Sequence, residues 1–92
     1  MIKSFRHKGL KRFFESGDLR GVQAGHEAKL RRILSVLDNA VTVQDVNLPS
    51  YRLHKLSGNR QTIWSVWVNG NWRITFRFVE GDAEIVNYED YH

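Results

Sequence analysis

Hydrophobic residues in the first half of the chain recur at the three- and four-residue spacing of amphipathic helices. Leu10, Phe13 and Phe14 predict a short first helix, which we expect to end near Gly17 because glycine favours helix ends. His26 lies one turn before a second helix, on its apolar side, where we expect a partly buried, hydrogen-bonded imidazole. The second helix is predicted from an apolar stripe formed by Leu30, Ile33, Leu34, Leu37 and Val41.

From Tyr51 onward the hydrophobic period changes to two, which predicts β-strands. The segments Thr62–Asn69 and Ala83–Tyr88 alternate in this way. Asn69-Gly70 predicts a tight hairpin turn, and residues 80–82 predict a second turn. The strand between these turns carries its large apolar side chains on one face, at Trp72, Ile74, Phe76 and Phe78.

These elements predict one α+β domain that spans residues 1–92. A short N-terminal strand over Met1–Phe5 precedes two helices, which pack on an antiparallel meander of three or four strands. We expect the helices to cover the face that carries Ile74 and Phe76, giving two layers. The other face is predicted to meet solvent, at Ser65, Trp67, Asn71, Arg73, Thr75 and Arg77.

Composition narrows the classes of function. The 92 residues include no cysteine, which excludes disulfides, thiolate metal sites and a cysteine nucleophile. The apolar runs are short, so we expect neither a membrane span nor a signal peptide, and a cytoplasmic location. The four histidines lack the short paired spacing of zinc ligands, so no metal site or other cofactor is predicted.

Positive charge is concentrated in the first half of the chain. The net charge is +4, from 14 Lys and Arg against 10 Asp and Glu. Residues 1–46 hold nine of these basic residues against five acidic ones, whereas residues 47–92 hold five of each. A basic face attracts RNA or DNA. An acidic protein partner, or an ordinary solvated surface, is an equally good explanation of the charge alone.

Candidate chemistry lies in the neutral second half. The chain ends on Asp90-Tyr91-His92 directly after a predicted strand, and His54 precedes the meander. Two imidazoles near arginines suit metal-free cleavage of RNA, in which one group activates the ribose 2′-hydroxyl and another protonates the leaving oxygen. Alternatively, His54 is a surface residue of a strand and the final residues form a polar terminus.

Ordered motifs extend along the whole chain. They include Met1-Ile2-Lys3-Ser4-Phe5, His7-Lys8-Gly9-Leu10, Leu53-His54, Asn71-Trp72-Arg73-Ile74-Thr75-Phe76 and Asn87-Tyr88-Glu89-Asp90-Tyr91-His92. This set resembles the HigB toxins of bacterial type II toxin–antitoxin systems, within the RelE/ParE superfamily. Each short motif is weakly specific, but the ordered set with its terminal Asp-Tyr-His is specific.

The resemblance implies a RelE-like fold and a ribosome-dependent endoribonuclease that cleaves mRNA in the ribosomal A site and inhibits translation. Members of this family work without a metal, through attack of the 2′-hydroxyl that yields a cyclic phosphate. The resemblance also implies a HigA-like helix-turn-helix antitoxin, with operator DNA bound only through the antitoxin complex. By position, the family's active-site pattern falls on His54, Arg73, Asp90, Tyr91 and His92.

Further residues are predicted to contact RNA. The family often has a proline and a lysine where this chain has Lys55 and Ser57, so Lys55 and Arg60 are candidates to replace a missing phosphate-contacting cation. The sheet face adds Trp67, which would stack a base, and Arg77. The helices are expected to dock on ribosomal RNA through Lys8, Lys11, Arg12, Arg31 and Arg32.

Two other functions remain open at the level of sequence. A ParE-like, gyrase-directed toxin of the same superfamily would cleave no RNA and would not need His54 or the Asp90-Tyr91-His92 motif. A non-catalytic nucleic-acid-binding or co-repressor component would need only the positive charge and the predicted Arg73 and Arg77 face.

Overall fold

The computed structural model describes residues 1–60 and 62–90. Two helices precede four strands: α1 (Lys8–Ser16), α2 (Glu27–Asn39), β1 (His54–Lys55), β2 (Trp64–Asn69), β3 (Trp72–Val79) and β4 (Asp82–Asp90). Short 3-10 turns cover Ala24–His26, Val43–Val46 and Gly58–Arg60. The strands form one antiparallel sheet in the order β1-β2-β3-β4. The predicted α+β class is confirmed.

The N-terminal residues extend this sheet at its β4 edge. Ile2 and Phe5 form parallel bridges with Ala83 and Val86. The backbone amide of Ile2 also donates to Asp38 Oδ1 on α2 at 2.9 Å, which ties the sheet edge to the helix layer. The predicted short edge strand is therefore present as two isolated bridges.

The bounds of α1 follow from its two caps. At the N-terminus, His7 Nδ1 accepts a hydrogen bond from the Leu10 amide at 2.9 Å. At the C-terminus, Gly17 adopts a left-handed conformation (φ 79°) and its amide donates to the Phe13 carbonyl at 2.8 Å. The predicted end of the helix near Gly17 is confirmed.

Helix α2 ends earlier than its apolar stripe predicted. The backbone is extended at Ala40, and the amides of Val41 and Thr42 donate to the carboxylate of Asp45 at 2.9 and 3.0 Å. The chain therefore turns into the Val43–Val46 segment, and the Val41 side chain is 73% exposed. The assignment of Val41 to the buried stripe was wrong because this local cap competes with another turn of helix.

The hydrophobic core lies between the helices and one face of the sheet. Helix α2 supplies Leu30, Ile33, Leu34 and Leu37, and the strands supply Val66, Ile74, Phe76 and Val86. Burial of one such side chain contributes about 1.5–3 kcal/mol. The predicted helix-covered face of β3 is confirmed at its centre, since Ile74 and Phe76 are fully buried.

The opposite sheet face is covered in part, contrary to the prediction that it meets solvent. Ser65 and Thr75 are each only 1% exposed. The segment between β1 and β2 folds over this face, closed by a hydrogen bond from the Leu56 amide to the Ile63 carbonyl at 2.9 Å. Strand alternation identifies a face but carries no information about which loop covers it. The covering segment forms one side of the cavities that lie on this face of the sheet.

The first hairpin turn is displaced by one residue from its prediction. Asn69 pairs with Trp72, so the turn residues are Gly70 and Asn71 rather than Asn69 and Gly70. A register shift between Trp67 and Asn69 produces this displacement. The second predicted turn is present at Glu80 and Gly81, both with positive φ, whereas Asp82 begins β4 and pairs with Val79.

Candidate active site

Three adjoining cavities lie along the covered face of the sheet. The first, of about 190 Å³, is lined by Arg52, His54, Ser65, Trp67, Gly70 and Arg73. The second, of about 270 Å³, is lined by His54, Lys55, Leu56, Ser57, Arg60 and Arg73. The third, of about 250 Å³, shares Arg60 with the second and includes Arg6, Asn87 and Glu89. We call the first two cavities, joined by His54 and Arg73, the His54–Arg73 groove.

Strand pairing brings distant parts of the sequence to this groove. His54 pairs with Ser65, and Arg73 pairs with Trp67 on one side and Glu89 on the other. Cross-strand partners project from the same face of a sheet, so these side chains share one surface. The fold therefore brings His54 and Arg73 to one surface, although 18 residues separate them in sequence.

One backbone contact defines the proton arrangement of His54. Its Nδ1 lies 2.9 Å from the carbonyl oxygen of Arg52. A carbonyl oxygen only accepts, so Nδ1 carries the hydrogen, and in the neutral ring Nε2 has the free lone pair. His54 is exposed. The arrangement presents Nε2 as the ring atom that accepts a proton.

Arg52 holds that carbonyl in place through an unusual backbone conformation. Its φ is 52°, in the left-handed region that few residues other than glycine adopt. Its guanidinium carbon lies 4.4 Å from the centroid of the Trp67 ring, and Trp67 Nε1 donates to the Gly70 carbonyl at 2.9 Å. One face of the Trp67 ring thus already carries a cation, and base stacking on Trp67 stays a prediction. No residue pattern signals the backbone conformation of Arg52.

The groove wall is rich in positive charge. Lys55, Arg60 and Arg73 all line its second cavity. Lys55 Nζ also lies 5.2 Å from the centroid of the Trp64 ring, and Arg60 forms an ion pair with Glu89 at 2.7 Å. Arg73 is half-buried. Three cations beside one imidazole suit an anionic ligand such as a phosphodiester.

Arg77 lies away from this groove, near the far end of β3. It pairs with Glu84 on β4, donating from Nη2 at 2.6 Å and from Nε at 3.0 Å. Arg73 and Arg77 are four positions apart, which corresponds to about 13 Å along a strand. The structure therefore does not bring the two arginines to one site.

Asp90 lies at the end of β4, on the face of that strand opposite the His54–Arg73 groove. It pairs with Trp72, whereas its neighbour Glu89 pairs with Arg73 on the groove side. Tyr88 pairs with Ile74, so Asp90 and Tyr88 share this face. Burial raises the pKa of Tyr88, and the negative charge of Asp90 raises it further. The predicted roles of Tyr91 and His92 fall on residues outside the described part of the chain.

The basic residues of the two helices lie away from the groove. Lys8, Lys11 and Arg32 are exposed, as are Arg12 and Arg31. The last two pair with acids: Arg12 Nε lies 3.8 Å from Asp18, and Arg31 Nη2 lies 2.6 Å from Glu27. Because the helices cover the core face of the sheet, these cations lie on the other layer from the groove.

A buried aromatic cluster packs around Trp72 of β3 and Tyr88 of β4, the two strands that carry Arg73 and Glu89. His26 Nδ1 lies 2.6 Å from the Tyr88 hydroxyl, which confirms the predicted hydrogen-bonded histidine, and the ring is buried rather than partly buried. Trp72 stacks on the Tyr88 ring with centroids 4.5 Å apart. The same ring meets His7 edge-on at 5.4 Å. The cluster joins α1, the turn before α2, and strands β3 and β4.

Residues 1–60 and 62–90 contain neither a cluster of metal ligands nor an apolar helix of membrane-spanning length. No group of three or more histidine, cysteine, aspartate or glutamate side chains in this part of the chain is arranged to hold a metal ion. No helix within it has the length and apolar character needed to cross a membrane.

Known proteins similar to this chain share its whole length. The family model for the RelE-like toxin HigB of type II toxin–antitoxin systems matches residues 3–92. The protein named Endoribonuclease HigB of Proteus vulgaris is 50% identical over 92 residues, which cover 100% of both chains. The protein named Toxin HigB-1 of Vibrio cholerae is 33% identical over 94 residues, covering 100% of this chain and 98% of the relative. The α+β fold agrees with this match, and the chain belongs to the HigB family of RelE-like toxins of type II toxin–antitoxin systems.

Proposed function

We propose that this toxin is an endoribonuclease that cleaves mRNA in the ribosomal A site, with its chemistry in the His54–Arg73 groove. The observation that supports this most is the orientation of His54, whose Nδ1 donates to the Arg52 carbonyl and leaves Nε2 as a proton acceptor. Arg73 lines the same cavities as this imidazole. The 50% identity to a protein named Endoribonuclease HigB supports the same reaction.

The proposed reaction is an internal transesterification. His54 Nε2 removes the proton of a ribose 2′-hydroxyl, and the resulting oxygen attacks the adjacent phosphorus. The bond from phosphorus to the 5′-oxygen of the next nucleotide breaks, which leaves a 2′,3′-cyclic phosphate. His92 donates a proton to the departing 5′-oxygen. Arg73 stabilises the extra negative charge that the phosphate oxygens carry in the transition state.

The remaining residues of the family's active-site pattern, Asp90 and Tyr91, have supporting roles in this proposal. Tyr91 positions or stacks the base next to the scissile phosphate, and Asp90 orients His92. Each of these proton transfers uses a side chain, so the proposed reaction needs neither a metal ion nor another cofactor.

The helix surface is proposed to dock on ribosomal RNA. Its cations lie on the layer opposite the groove, so both surfaces can be used at once. The RNA-docking set comprises Lys8, Lys11, Arg12, Arg31 and Arg32. Contacts of this kind fix orientation without reading sequence. The antitoxin partner of the type II system is proposed to be a HigA-like helix-turn-helix protein through which the complex binds operator DNA, and the toxin acts in the cytoplasm.

Primer extension on mRNA bound to programmed ribosomes tests the proposal. We expect cuts in the A-site codon with ribosomes, no cuts on free mRNA, and the same cuts by toxin that has been treated with EDTA and desalted before it is added to the ribosomes. Absence of cuts, combined with inhibition of gyrase supercoiling, would identify the gyrase-directed alternative. Loss of cutting by the EDTA-treated toxin, restored when one divalent metal is added back to the toxin, would refute the metal-free reaction alone.

A further inference from the structure

Glu89 is a half-buried carboxylate beside the His54–Arg73 groove, and the proposed reaction does not use it. It stands opposite Arg73 in the register of β3 and β4. Its Oε2 accepts hydrogen bonds from Arg60 Nη2 and Thr75 Oγ1, each at 2.7 Å, and from Asn87 Nδ2 at 3.2 Å. Donors from three parts of the chain therefore hold this carboxylate in one position.

The same contacts keep Glu89 ionised. Burial alone would raise the pKa of its carboxyl group, but hydrogen bonds from Arg60 and Thr75 outweigh burial and lower the pKa below its ordinary value. Glu89 thus presents a negative charge at neutral pH with a defined orientation.

The ionised carboxylate fixes the plane of the Arg60 guanidinium. Arg60 Nη1 donates to Glu89 Oε1 at 3.3 Å while Nη2 donates to Oε2, a two-pronged contact. Arg60 belongs to the Gly58–Arg60 turn, outside the sheet, and has no strand of its own to position it. An arginine has five N–H donors, so this contact leaves three of them for another ligand. The Arg60 side chain also lines the cavity that contains His54 and Arg73.

We propose that Glu89 is a positioning residue that holds the Arg60 guanidinium on the wall of the His54–Arg73 groove, where Arg60 binds a phosphate of the RNA. The proposal rests on the proposed endoribonuclease function. Glu89 acts through Arg60 and has no contact of its own with the substrate.

The charge balance of the groove is compatible with this role. Lys55, Arg60 and Arg73 line the second cavity, and Glu89 does not. The Arg60–Glu89 pair neutralises one of the three cations, so Glu89 adds no positive charge to the groove. The benefit of Glu89 is therefore geometric, because it reduces the side-chain freedom that Arg60 would otherwise lose on binding RNA.

A purely structural role is the competing explanation. The Arg60–Glu89 pair also ties the segment between β1 and β2 to β4, and its loss could merely destabilise that segment. The two explanations differ in one respect. A positioning role lowers the affinity for RNA without lowering the melting temperature, whereas a structural role lowers the melting temperature of every variant that breaks the pair.

A double-mutant cycle separates them. Glu89→Gln, Arg60→Ala and the double variant are compared with the wild type for kcat and KM of mRNA cleavage on programmed ribosomes. The melting temperature of each variant is measured in parallel. Glu84→Gln is the matched control, because Glu84 lies on the same strand as Glu89 and also pairs with an arginine, Arg77, but far from the groove.

We expect Glu89→Gln and Arg60→Ala each to lower kcat/KM about tenfold, mainly through KM, with the double variant equal to Arg60→Ala. Arg60→Ala should also reduce the slope of log affinity against log salt by about 0.7, the value for one phosphate contact on a single strand. Glu84→Gln should leave kcat/KM unchanged. Three results would overturn the proposal while leaving the endoribonuclease function intact: effects on kcat/KM that multiply in the double variant, a wild-type KM for Glu89→Gln, or a loss of kcat/KM in Glu89→Gln that is accompanied by a lowered melting temperature. A wild type that cuts no mRNA would instead refute both.

Discussion

His54 and Arg52 are joined by a hydrogen bond from the imidazole Nδ1 to the backbone carbonyl oxygen, at 2.9 Å. This bond selects one tautomer of the neutral ring and directs the Nε2 lone pair away from the backbone. The chemistry proposed for His54 thus depends on a main-chain atom two residues earlier. That atom is placed by the left-handed conformation of Arg52, whose φ is 52°.

Substitutions of Arg52 should therefore depend on backbone preference rather than on side-chain charge. Arg52→Gly keeps the left-handed conformation readily, whereas Arg52→Val disfavours it because of the branched Cβ. We expect Arg52→Gly to retain kcat within about threefold and Arg52→Val to lose at least about tenfold, as strain of about 1–3 kcal/mol shifts the carbonyl. Both remove the guanidinium, so equal kcat values for two folded variants would contradict this dependence.

The docking role of the helix surface predicts a salt-dependent effect on ribosome binding. Lys8→Ala and Lys11→Ala should each weaken binding and reduce its salt slope by about 0.7–0.9 for each phosphate that the lysine neutralises. Arg20→Ala is the control with the same charge change, since the Arg20 guanidinium is already paired with Asp18 at 2.8 Å. Titration of ribosomes at several salt concentrations measures these slopes, and three equal slopes would exclude docking through α1.

The His7 cap predicts how stability changes with pH. Burial lowers the pKa of His7 below its ordinary value of 6.5, and the charge of Arg12 lowers it further. The unfolded chain therefore binds a proton at higher pH than the folded chain. The His7 contribution to stability is complete above about pH 6.5 and is lost as pH falls through the lowered pKa of the folded protein.

Replacing His7 with serine isolates this effect. Serine keeps a cap acceptor for the Leu10 amide but does not titrate. Urea unfolding from pH 8 to pH 5 should show a free energy of unfolding that falls more for the wild type than for His7→Ser. The same pH dependence in both proteins would show that protonation of His7 does not weaken the fold.

Gly21 and Gly9 lie in close contact, so a side chain added at Gly21 should lower the stability of the protein. A Cβ added to Gly21 would lie 2.5 Å from the Gly9 Cα, an impossible contact for backbone atoms. Gly21→Ala should destabilise the protein by about 1–3 kcal/mol, a value typical of overpacking. A Cβ at Gly25 meets nothing within 4 Å, so Gly25→Ala should leave the melting temperature unchanged or slightly raised. Similar melting temperatures for both variants would contradict the close approach of α1 to the Gly21 segment.

The helices and the buried side of the sheet were predictable because each follows from the spacing of hydrophobic residues that are close together in sequence. The stripe from Leu30 to Leu37 and the alternation through Ile74 and Phe76 are both periodic and both buried. The assignment of Val41 failed because Asp45, four residues later, caps a new turn. Periodicity cannot report a competing hydrogen bond of this kind.

The site was predictable only in part, for a different reason. Residue chemistry and family resemblance identified His54 and Arg73, which the structure places in one groove. Glu89 and the Arg52 carbonyl were missed, because their roles depend on strand register and backbone conformation. Pairing of Glu89 with Arg73 across β3 and β4 becomes visible only once the register is known.

The proton transfer proposed for His54 is tested most directly by a single-turnover rate. Wild type, His54→Ala and Glu84→Gln are mixed in excess with mRNA on programmed ribosomes, and the rate constant of cleavage and the ribosome affinity are measured. We predict that His54→Ala lowers the rate constant by about 10²–10⁴-fold, as loss of a general base does, while ribosome affinity stays within about threefold. Glu84→Gln should match the wild type. Cleavage by folded His54→Ala at the wild-type rate would contradict the role of His54 as the general base.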